Sequence, residues 1–511
     1  MEESRTKKSL LNFIVGTFSK VVIMLFAFTT KTLFIRKLGV EYNGVYGLFS
    51  NILSILALSE LGIGNVLNFT LYSALRSEDS EKIKSVVSFF KKLYFIIILS
   101  ISVLGLSLIP FLKYIINSDI PIEEIKIYYV LYLVNSIASY FFVYKITVIT
   151  ADQNNFINSI CEIITTIVMY VGQIVYLLIR CDFFGYLVIA VLCTILRNIM
   201  LNIITNKKYP YLKCINKQTR KLDLYEKNKI KENIKATFIY KIAAVILNNT
   251  DNILISILVG TVYVGYYSNY YLVISYITTF VGILITSVMA SLGNLNSDNN
   301  IDASFNMFNI LSQIFCFIGT ITTCCLINCY QSFIAFWLGT ENVMPFSWVV
   351  VIAINNYFVT IMNPVWMFRE TMGLFKQVKF ILIITAGLNI FFSIIFGRLF
   401  SVPGILIATL ISRLLSQYWY EPIILFAKLQ HKVSLFYFDC LKQTGVMIIS
   451  VIISFLICRL FGNSIFCILL KAFISCIIGI IIVYLFNMKR DSMNFLLKRY
   501  IQPLFANKKS N

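Results

Sequence analysis

The first apolar stretch of the sequence, Leu10–Ile35, reads LLNFIVGTFSKVVIMLFAFTTKTLFI. It exceeds the ~20 residues with which an α-helix crosses the ~30 Å hydrocarbon core of a bilayer. It is also too long for the apolar core of a signal peptide, so we expect an uncleaved first membrane span. Similar stretches recur along the whole chain, and their number and order decide the fold.

The composition is that of a membrane protein. Of the 511 residues, 58% are hydrophobic and only 13% are charged, whereas a soluble domain carries roughly 25% charged residues. The apolar stretches run well beyond the ~10-residue alternating segments of a membrane β-barrel. We therefore predict an all-α polytopic membrane protein of about 14 transmembrane helices.

The predicted spans form a group of six, a second group of six and a final pair. They are 10–35, 44–67, 93–116, 127–150, 158–180 and 185–206, then 236–258, 265–290, 306–327, 346–371, 380–398 and 404–427, and last 442–461 and 466–487.

Lysine and arginine residues orient these spans. Segments on the N-terminal side of the membrane carry 29 of the 44 basic residues, and segments on the opposite side carry 7. Because cytoplasmic loops are enriched in lysine and arginine, we predict that both termini are cytoplasmic in a bacterial inner membrane. The same excess explains most of the net charge of +20, so no nucleic-acid partner is needed to account for it.

A short motif occurs twice. Residues 39–46 read GVEYNGVY and residues 260–267 read GTVYVGYY, so both match GxxYxGxY at an offset of 221. Six spans, an even number, separate the copies, and the two groups of six therefore form parallel repeats with the same topology. We predict an N-lobe at 1–206, a C-lobe at 236–427, and an appended helical hairpin with a basic tail at 428–511.

The segment between the lobes, 207–235, carries ten basic and three acidic residues. It is either an electrostatic tether to anionic lipid head groups or a solvated cytoplasmic loop, and the sequence leaves both interpretations open.

Ionisable residues inside the spans are candidate functional residues, because a charge in hydrocarbon costs at least ~2.5–3.5 kcal/mol. Five of them lie near span ends, where we expect the side chains to reach water: Lys145, Glu162, Arg369, Glu370 and Lys471. The deeper ones are Lys20, Lys31, Glu60, Arg197, Asp251 and Arg413.

The deep basic residues predict an anionic substrate. Lys20 and Lys31 are eleven residues apart, about three helical turns, and so share one face of the first helix. The repeat offset places Lys241 at the position of Lys20, and we predict that these two face each other across a central cavity. With Arg197 and Arg413 they would bind a group such as a diphosphate.

The deep carboxylates, Glu60 and Asp251, have three interpretations. They are counter-charges in the cavity, sites that take up a proton or sodium ion during transport, or members of static ion pairs. The chain has one histidine, His431, and 12 cysteines without metal-ligand spacing. We therefore predict no catalytic residue, no metal site and no cofactor beyond a coupling ion, and expect the cysteines to be small apolar residues within helices.

Several short runs resemble a known family by their order and spacing. They are RKLGVEYNGVYGL at 36–48, LSELGIG at 58–64, NTDNILIS at 249–256, FIAFWLG at 333–339, GLN at 387–389 and GILIAT at 404–409. On these runs the chain resembles bacterial polysaccharide flippases of the multidrug/oligosaccharidyl-lipid/polysaccharide exporter superfamily. Glu60 departs from the family pattern, in which many members have aspartate there.

The resemblance implies two six-helix lobes around a central cavity, followed by a terminal hairpin. It implies that an undecaprenyl-diphosphate-linked oligosaccharide, the repeat unit of an O-antigen or capsule, is flipped from the cytoplasmic to the outer leaflet by alternating access, often coupled to an ion gradient. The partners it implies are the lipid-linked oligosaccharide, membrane lipids, a polysaccharide polymerase and glycosyltransferases.

Two other functions stay open. A drug or cation exporter of the same superfamily would share the fold, but it should have an acidic, aromatic cavity with few lysines. A membrane enzyme such as an O-antigen polymerase or ligase usually acts through a large external loop. The longest predicted external segment here, 328–345, contains one acidic residue, Glu341, and no basic residue, so we do not expect an enzyme.

Overall fold

A computed structural model describes residues 2–60, 63–76, 79–213, 222–297 and 300–496. Within these ranges the backbone forms eighteen α-helices and four short 3-10 turns, with no β-strand. The all-α fold class predicted from the sequence is confirmed. By its internal contacts the chain divides into two compact units, Met1–Gly265 and Tyr266–Asn511.

The first unit contains ten helices. They are α1 (Glu2–Leu38), α2 (Val40–Leu56), α3 (Ile63–Arg76), α4 (Ser80–Leu108), α5 (Leu112–Ile115), α6 (Ile122–Ser139), α7 (Val143–Ala151), α8 (Asn155–Ile179), α9 (Phe183–Lys208) and α10 (Leu224–Leu258).

The remaining eight helices begin at the end of the first unit and fill the second. They are α11 (Thr261–Ser297), α12 (Ile301–Leu338), α13 (Phe346–Thr371), α14 (Phe375–Leu415), α15 (Gln417–Lys428), α16 (Val433–Cys458), α17 (Ile465–Asn487) and α18 (Asp491–Leu496).

Ten helical segments among the described residues are long and apolar enough to cross a membrane, and the bent pair α6–α7 makes eleven. The segment Gln377–Lys428 contains both the eleventh and the twelfth predicted spans, with a non-helical Ser401 at φ 59° between them. The chain is therefore a multi-pass membrane protein. The second predicted span is not among these segments, because its helix is interrupted.

The second predicted span, 44–67, is not one continuous helix. Helix α2 ends at Leu56, a 3-10 turn covers Ala57–Glu60, and α3 begins at Ile63. The fourth predicted span is also broken, with a 48° bend between α6 and α7. An apolar run predicts that a segment lies in the membrane but not that its helix is continuous, because breaks are tolerated wherever protein surrounds the freed backbone groups.

The seventh predicted span lies within α10, which starts at Leu224 and so includes part of the predicted linker. Lys82 of α4 and Glu226 of α10 form an ion pair of 3.4 Å at this end. Lysine and glutamate are good helix formers, so a basic composition alone does not predict a loop. Linker residues 214–221 lie outside the described ranges, and the division into lobes at 207–235 stays a prediction.

The two copies of the repeated motif have the same backbone conformation at their first glycine. Gly39 separates α1 from α2 with φ 95°, and Gly260 separates α10 from α11 with φ 135°. Residues with a side chain rarely adopt these angles, so each glycine allows one long helix to end and the next to begin at once.

Aromatic side chains fill the core of each unit. In the first unit Phe34 contacts Tyr186 with ring centroids 4.8 Å apart, and in the second Phe308 contacts Phe426 at 5.3 Å. Helices in lipid gain little from burying apolar surface and associate by close packing. Such ring contacts are therefore a main source of cohesion within each unit.

Candidate functional site

Lys20 of α1 forms an ion pair with Glu162 of α8. Its Nζ lies 3.4 Å from Glu162 Oε1, and the two side chains are 44% and 30% exposed. Next to this pair, the Ser19 hydroxyl donates to the Ser159 carbonyl oxygen at 3.5 Å. Glu162 thus has a basic partner that lies 142 residues away in the sequence, and its partial exposure agrees with a position near a span end.

Lys31 lies three turns further along α1 and is partly buried. Its ammonium makes no hydrogen bond or ion pair with any residue that the structure describes. Between the two lysines in sequence, Phe26 stacks on Tyr170 of α8 with ring centroids 6.4 Å apart. The α1–α8 face therefore carries two ammonium groups, of which only Lys20 is paired with a carboxylate among the described residues.

Arg197 lies on α9, near the thiol of Cys161 on α8. Its Nε is buried and makes no hydrogen bond to a described residue. One residue further on, Asn198 donates from Nδ2 to the Ala138 carbonyl of α6 at 2.6 Å. These contacts place Arg197 beside α8 and do not bring it together with the two lysines of α1.

Glu60 is the last residue of the 3-10 turn that interrupts the second span. Its carboxylate and the hydroxyl of Tyr94 on α4 both border Gly64, since a Cβ there would lie 3.4 Å from Glu60 Oε1 and 3.5 Å from Tyr94 Oη. Tyr140 is also within electrostatic reach of Glu60. At breaks in transporter helices, freed backbone carbonyls coordinate ions, and the carboxylate of Glu60 adds a group that can bind a proton or cation there.

Tyr94 is a component of this site that the sequence analysis missed. The side chain is 1% exposed, and its hydroxyl makes no hydrogen bond to a described residue. A buried polar group without a partner costs about 1–3 kcal/mol, so this hydroxyl is available for a ligand at Glu60. No sequence signal distinguishes Tyr94 from the many other tyrosines in the spans.

Asp251 lies on α10 and is partly buried. Helix α10 packs against α2 and against the 3-10 turn that carries Glu60, so the two predicted carboxylates belong to elements in contact. The side chain of Lys241, also on α10, is outside the part of the chain that the structure describes. Its position opposite Lys20 stays a prediction.

Arg413 belongs to the second unit, unlike the other candidates. It lies in the last turn of α14, close to the phenol of Tyr418 on α15. Between the two helices Ser416, with φ −135° and ψ −79°, interrupts the helical backbone. That Arg413 shares one cavity with the basic residues of the first unit stays a prediction.

The second unit also contains a buried ion pair that the sequence analysis missed. Arg369 Nη1 of α13 lies 2.8 and 2.9 Å from the two carboxylate oxygens of Glu421 on α15, and the side chains are 5% and 0% exposed. Gln417 donates to the same carboxylate at 3.0 Å. The expectation that Arg369 reaches water is wrong, whereas its neighbour Glu370 is 44% exposed.

Lys471 of α17 is likewise buried, at 6% exposure, and not turned to water as expected. Its Nζ lies 3.2 Å from Asn463 Oδ1 and 3.4 Å from Ser332 Oγ. Position near a span end thus failed to predict exposure for Arg369 and Lys471. The sequence did contain one signal for the buried Arg369–Glu421 pair, because Glu421 is a carboxylate within an apolar run.

The described residues offer two kinds of chemistry. Ammonium groups on the α1–α8 face can bind phosphate oxygens through charge-assisted hydrogen bonds, and the break at Glu60 can hold a proton or small cation. Among the described residues, no group of three or more histidine, cysteine, aspartate or glutamate side chains is arranged to hold a metal ion.

Solved structures of transporters have the same fold. The lipid II flippase MurJ, in an inward closed conformation, aligns with a TM-score of 0.68 at 15% identity over 94% of this chain and 99% of the flippase. An inward-facing multidrug resistance MATE family transporter of the MOP superfamily aligns with a TM-score of 0.62 at 12% identity, over 81% of this chain and 98% of the transporter.

A third similar structure is that of a MOP superfamily transporter from Pyrococcus furiosus, described as having a binding pocket of reverse polarity. It aligns with a TM-score of 0.56 at 13% identity, over 84% of this chain and 96% of its own. No protein-family model and no curated protein matches the sequence. At these identities the likeness establishes a common fold.

Proposed function

We propose that this protein flips an undecaprenyl-diphosphate-linked oligosaccharide from the cytoplasmic to the outer leaflet of the bacterial inner membrane by alternating access. The cargo is a repeat unit of a surface polysaccharide such as an O-antigen or capsule. The observation that carries this proposal is the pair of lysines on one face of α1, with Lys31 free of any hydrogen bond or ion pair to the described residues.

A diphosphate is the part of this cargo that a cationic site recognises. Lys31 has no carboxylate partner among the described residues, so it can donate to phosphate oxygens without breaking an ion pair. The charged atoms of the Lys20–Glu162 pair are 3.4 Å apart, and both side chains are partly exposed. Exposed ion pairs contribute only about 0–1 kcal/mol to stability. A phosphate can therefore replace Glu162 at Lys20 at little cost, while Glu162 holds the lysine in place between transport cycles.

The structural likeness covers different shares of this chain in the flippase and in the drug exporter. The alignment with the MATE transporter covers 98% of that transporter but only 81% of this chain. The MurJ flippase matches 94% of the chain. Both structures share the fold of this chain, so the choice between the two cargoes rests on the basic residues of α1.

Glu60 is the proposed coupling carboxylate. The break in the second span places it beside Tyr94 and Tyr140, and the turn that carries it packs against the helix of Asp251. A proton or sodium ion bound there would neutralise the carboxylate and change the packing around the break. This assigns cargo binding to the basic residues and energy coupling to the acidic ones.

Transport of a fluorescent undecaprenyl-diphosphate-linked oligosaccharide in proteoliposomes tests the proposal. We expect the wild-type protein to move the lipid between leaflets, and Lys20→Ala, Lys31→Ala and Arg413→Ala to abolish this movement. Lys113→Ala, at an exposed lysine on the predicted outer side, is the matched control. In cells, Lys20→Ala and Arg413→Ala should block surface polysaccharide while the protein stays in the membrane.

The same variants separate the rival functions. Normal surface polysaccharide in both Lys20→Ala and Arg413→Ala would contradict the proposal that these basic residues bind the substrate. Export of a cationic drug that needs Glu60 but neither lysine of α1 would identify a drug exporter. Conversion of the lipid-linked oligosaccharide into a longer product would identify a polymerase.

A further inference from the structure

The interface between α12 and α17 in the second unit is rich in thiols. Five of the described cysteines lie at or beside it, three of them from α12 and one each from α16 and α17: Cys324, Cys325, Cys329, Cys458 and Cys476. The expected role of these residues, small apolar packing within helices, does not require their sulfur atoms to meet. Two of them do meet.

Cys325 Sγ and Cys476 Sγ are 3.7 Å apart, which is van der Waals contact between two sulfur atoms. Both side chains are partly exposed, whereas Cys324 and Cys458 are 0% and 3% exposed. The two thiols in contact are therefore accessible from outside the helix packing, while the two buried thiols are shielded by it.

The backbones of the two helices are held close on both sides of this pair. One turn beyond Cys476, a Cβ on Gly479 would lie 3.2 Å from Ile321 Cγ1 and 3.5 Å from Ile321 Cα. On the other side, Asn328 donates from Nδ2 to Ser475 Oγ at 2.9 Å. A disulfide needs sulfur atoms about 2.05 Å apart, so the two sulfur atoms must approach by less than 2 Å from their present 3.7 Å.

We propose that Cys325 and Cys476 form an oxidation site whose co-reactant is a hydroperoxide dissolved in the membrane. The two thiols lose two protons and two electrons as the S–S bond forms. The O–O bond of the hydroperoxide breaks, and its two oxygens leave as an alcohol and water. The apolar surroundings favour an uncharged oxidant of this kind over a charged one.

The product would join α17, in the appended hairpin, covalently to α12. Both helices already share a seam of polar and small residues, so the bond fixes an existing contact and creates no new one. The site is independent of the proposed transport function, because neither thiol belongs to the cationic face or to the Glu60 site.

The experiment uses the full-length protein in lipid nanodiscs treated with cumene hydroperoxide. Digestion without reductant, followed by mass spectrometry, should yield a peptide pair that joins Cys325 to Cys476 and separates on reduction. Cys325→Ser and Cys476→Ser should each eliminate this pair. Cys329→Ser, at a partly exposed cysteine of the same interface, should leave it intact.

The exposed Cys181 reports whether the oxidant has reached the protein. Oxidation of Cys181 with Cys325 and Cys476 still present as free thiols would overturn the proposal. A disulfide that forms between other cysteines of this interface in the wild-type protein, in place of the Cys325–Cys476 bond, would overturn it equally.

Discussion

Gly44 and Gly265, which occupy the same position in the two copies of GxxYxGxY, pack against each other's copy of the motif. A Cβ on Gly44 would lie 2.1 Å from the carbonyl oxygen of Thr261, and a Cβ on Gly265 would lie 2.1 Å from that of Val40. Val40 and Thr261 are themselves equivalent positions at the offset of 221. The second glycine of each copy is thus required by the backbone of the other.

Replacing either of these glycines by alanine should destabilise the protein. The added methyl group would overlap a backbone carbonyl that cannot rotate away, and overpacking of this kind costs about 1–3 kcal/mol or more. Thermal unfolding of Gly44→Ala and Gly265→Ala in detergent should show lower midpoints than the wild type. Gly16→Ala, where the new Cβ meets nothing within 4 Å, is the control, and equal midpoints for all three variants would contradict the prediction.

Exchanging the charges of the Lys20–Glu162 pair should separate its structural role from its proposed role in transport. In the double variant Lys20→Glu/Glu162→Lys the ion pair can form again in reverse, so we expect near-normal stability. Transport of the lipid-linked oligosaccharide should stay abolished, because the position on α1 then carries a negative charge toward a diphosphate. Recovery of transport by the double variant would show that Lys20 acts only through Glu162.

The sequence predicted the membrane fold, most of the spans and the shared face of Lys20 and Lys31. These follow from apolar length and helical periodicity, which are local properties of the chain. The break at Glu60 was not predicted, although the segment LSELGIG at 58–64 contains two glycines, because glycine is common in membrane helices that do not break. Whether a membrane helix breaks depends on neighbours that can accept its freed backbone groups.

The partners of the charges within the spans could not be predicted from the sequence either. Glu162 lies 142 residues from Lys20, and Glu421 lies 52 residues from Arg369. Distance from a span end was a poor guide to burial, because packing by other helices covers residues near the membrane surface as fully as residues at its centre. Only the tertiary structure shows which charge meets which.

Glu60→Gln should uncouple transport from its driving gradient. The amide keeps the shape of the side chain but cannot bind a proton or sodium ion as the carboxylate does. Oligosaccharide movement in proteoliposomes should then no longer accelerate when a proton or sodium gradient is imposed. Glu123→Gln, at a side chain that is 76% exposed and paired with Lys126, should respond to the gradient as the wild type does. A normal response by Glu60→Gln would assign this residue a static counter-charge.

Tyr94→Phe tests whether the phenol beside Glu60 takes part in ion binding. The Tyr94 hydroxyl makes no hydrogen bond to a described residue, so its removal should not lower the thermal midpoint. We expect instead that a steeper gradient is needed for the same rate of transport. A lower midpoint with unchanged gradient dependence would mean that the hydroxyl serves the fold alone.

The Arg369–Glu421 pair should behave as a buried ion pair whose halves cannot be removed separately. Arg369→Met leaves a fully buried carboxylate without its cation, and Glu421→Leu removes the bidentate carboxylate of a buried guanidinium. Loss of one partner in such a pair costs about 3–5 kcal/mol, whereas replacement of both by apolar residues is often neutral. In unfolding experiments we therefore expect each single variant to be strongly destabilised and the double variant to regain most of the stability.

Glu370→Gln is the matched control, since Glu370 lies 3.7 Å from the same arginine but is 44% exposed, and it should change stability little. Additive losses in the double variant would mean that Arg369 and Glu421 stabilise the unit through separate contacts and not through each other.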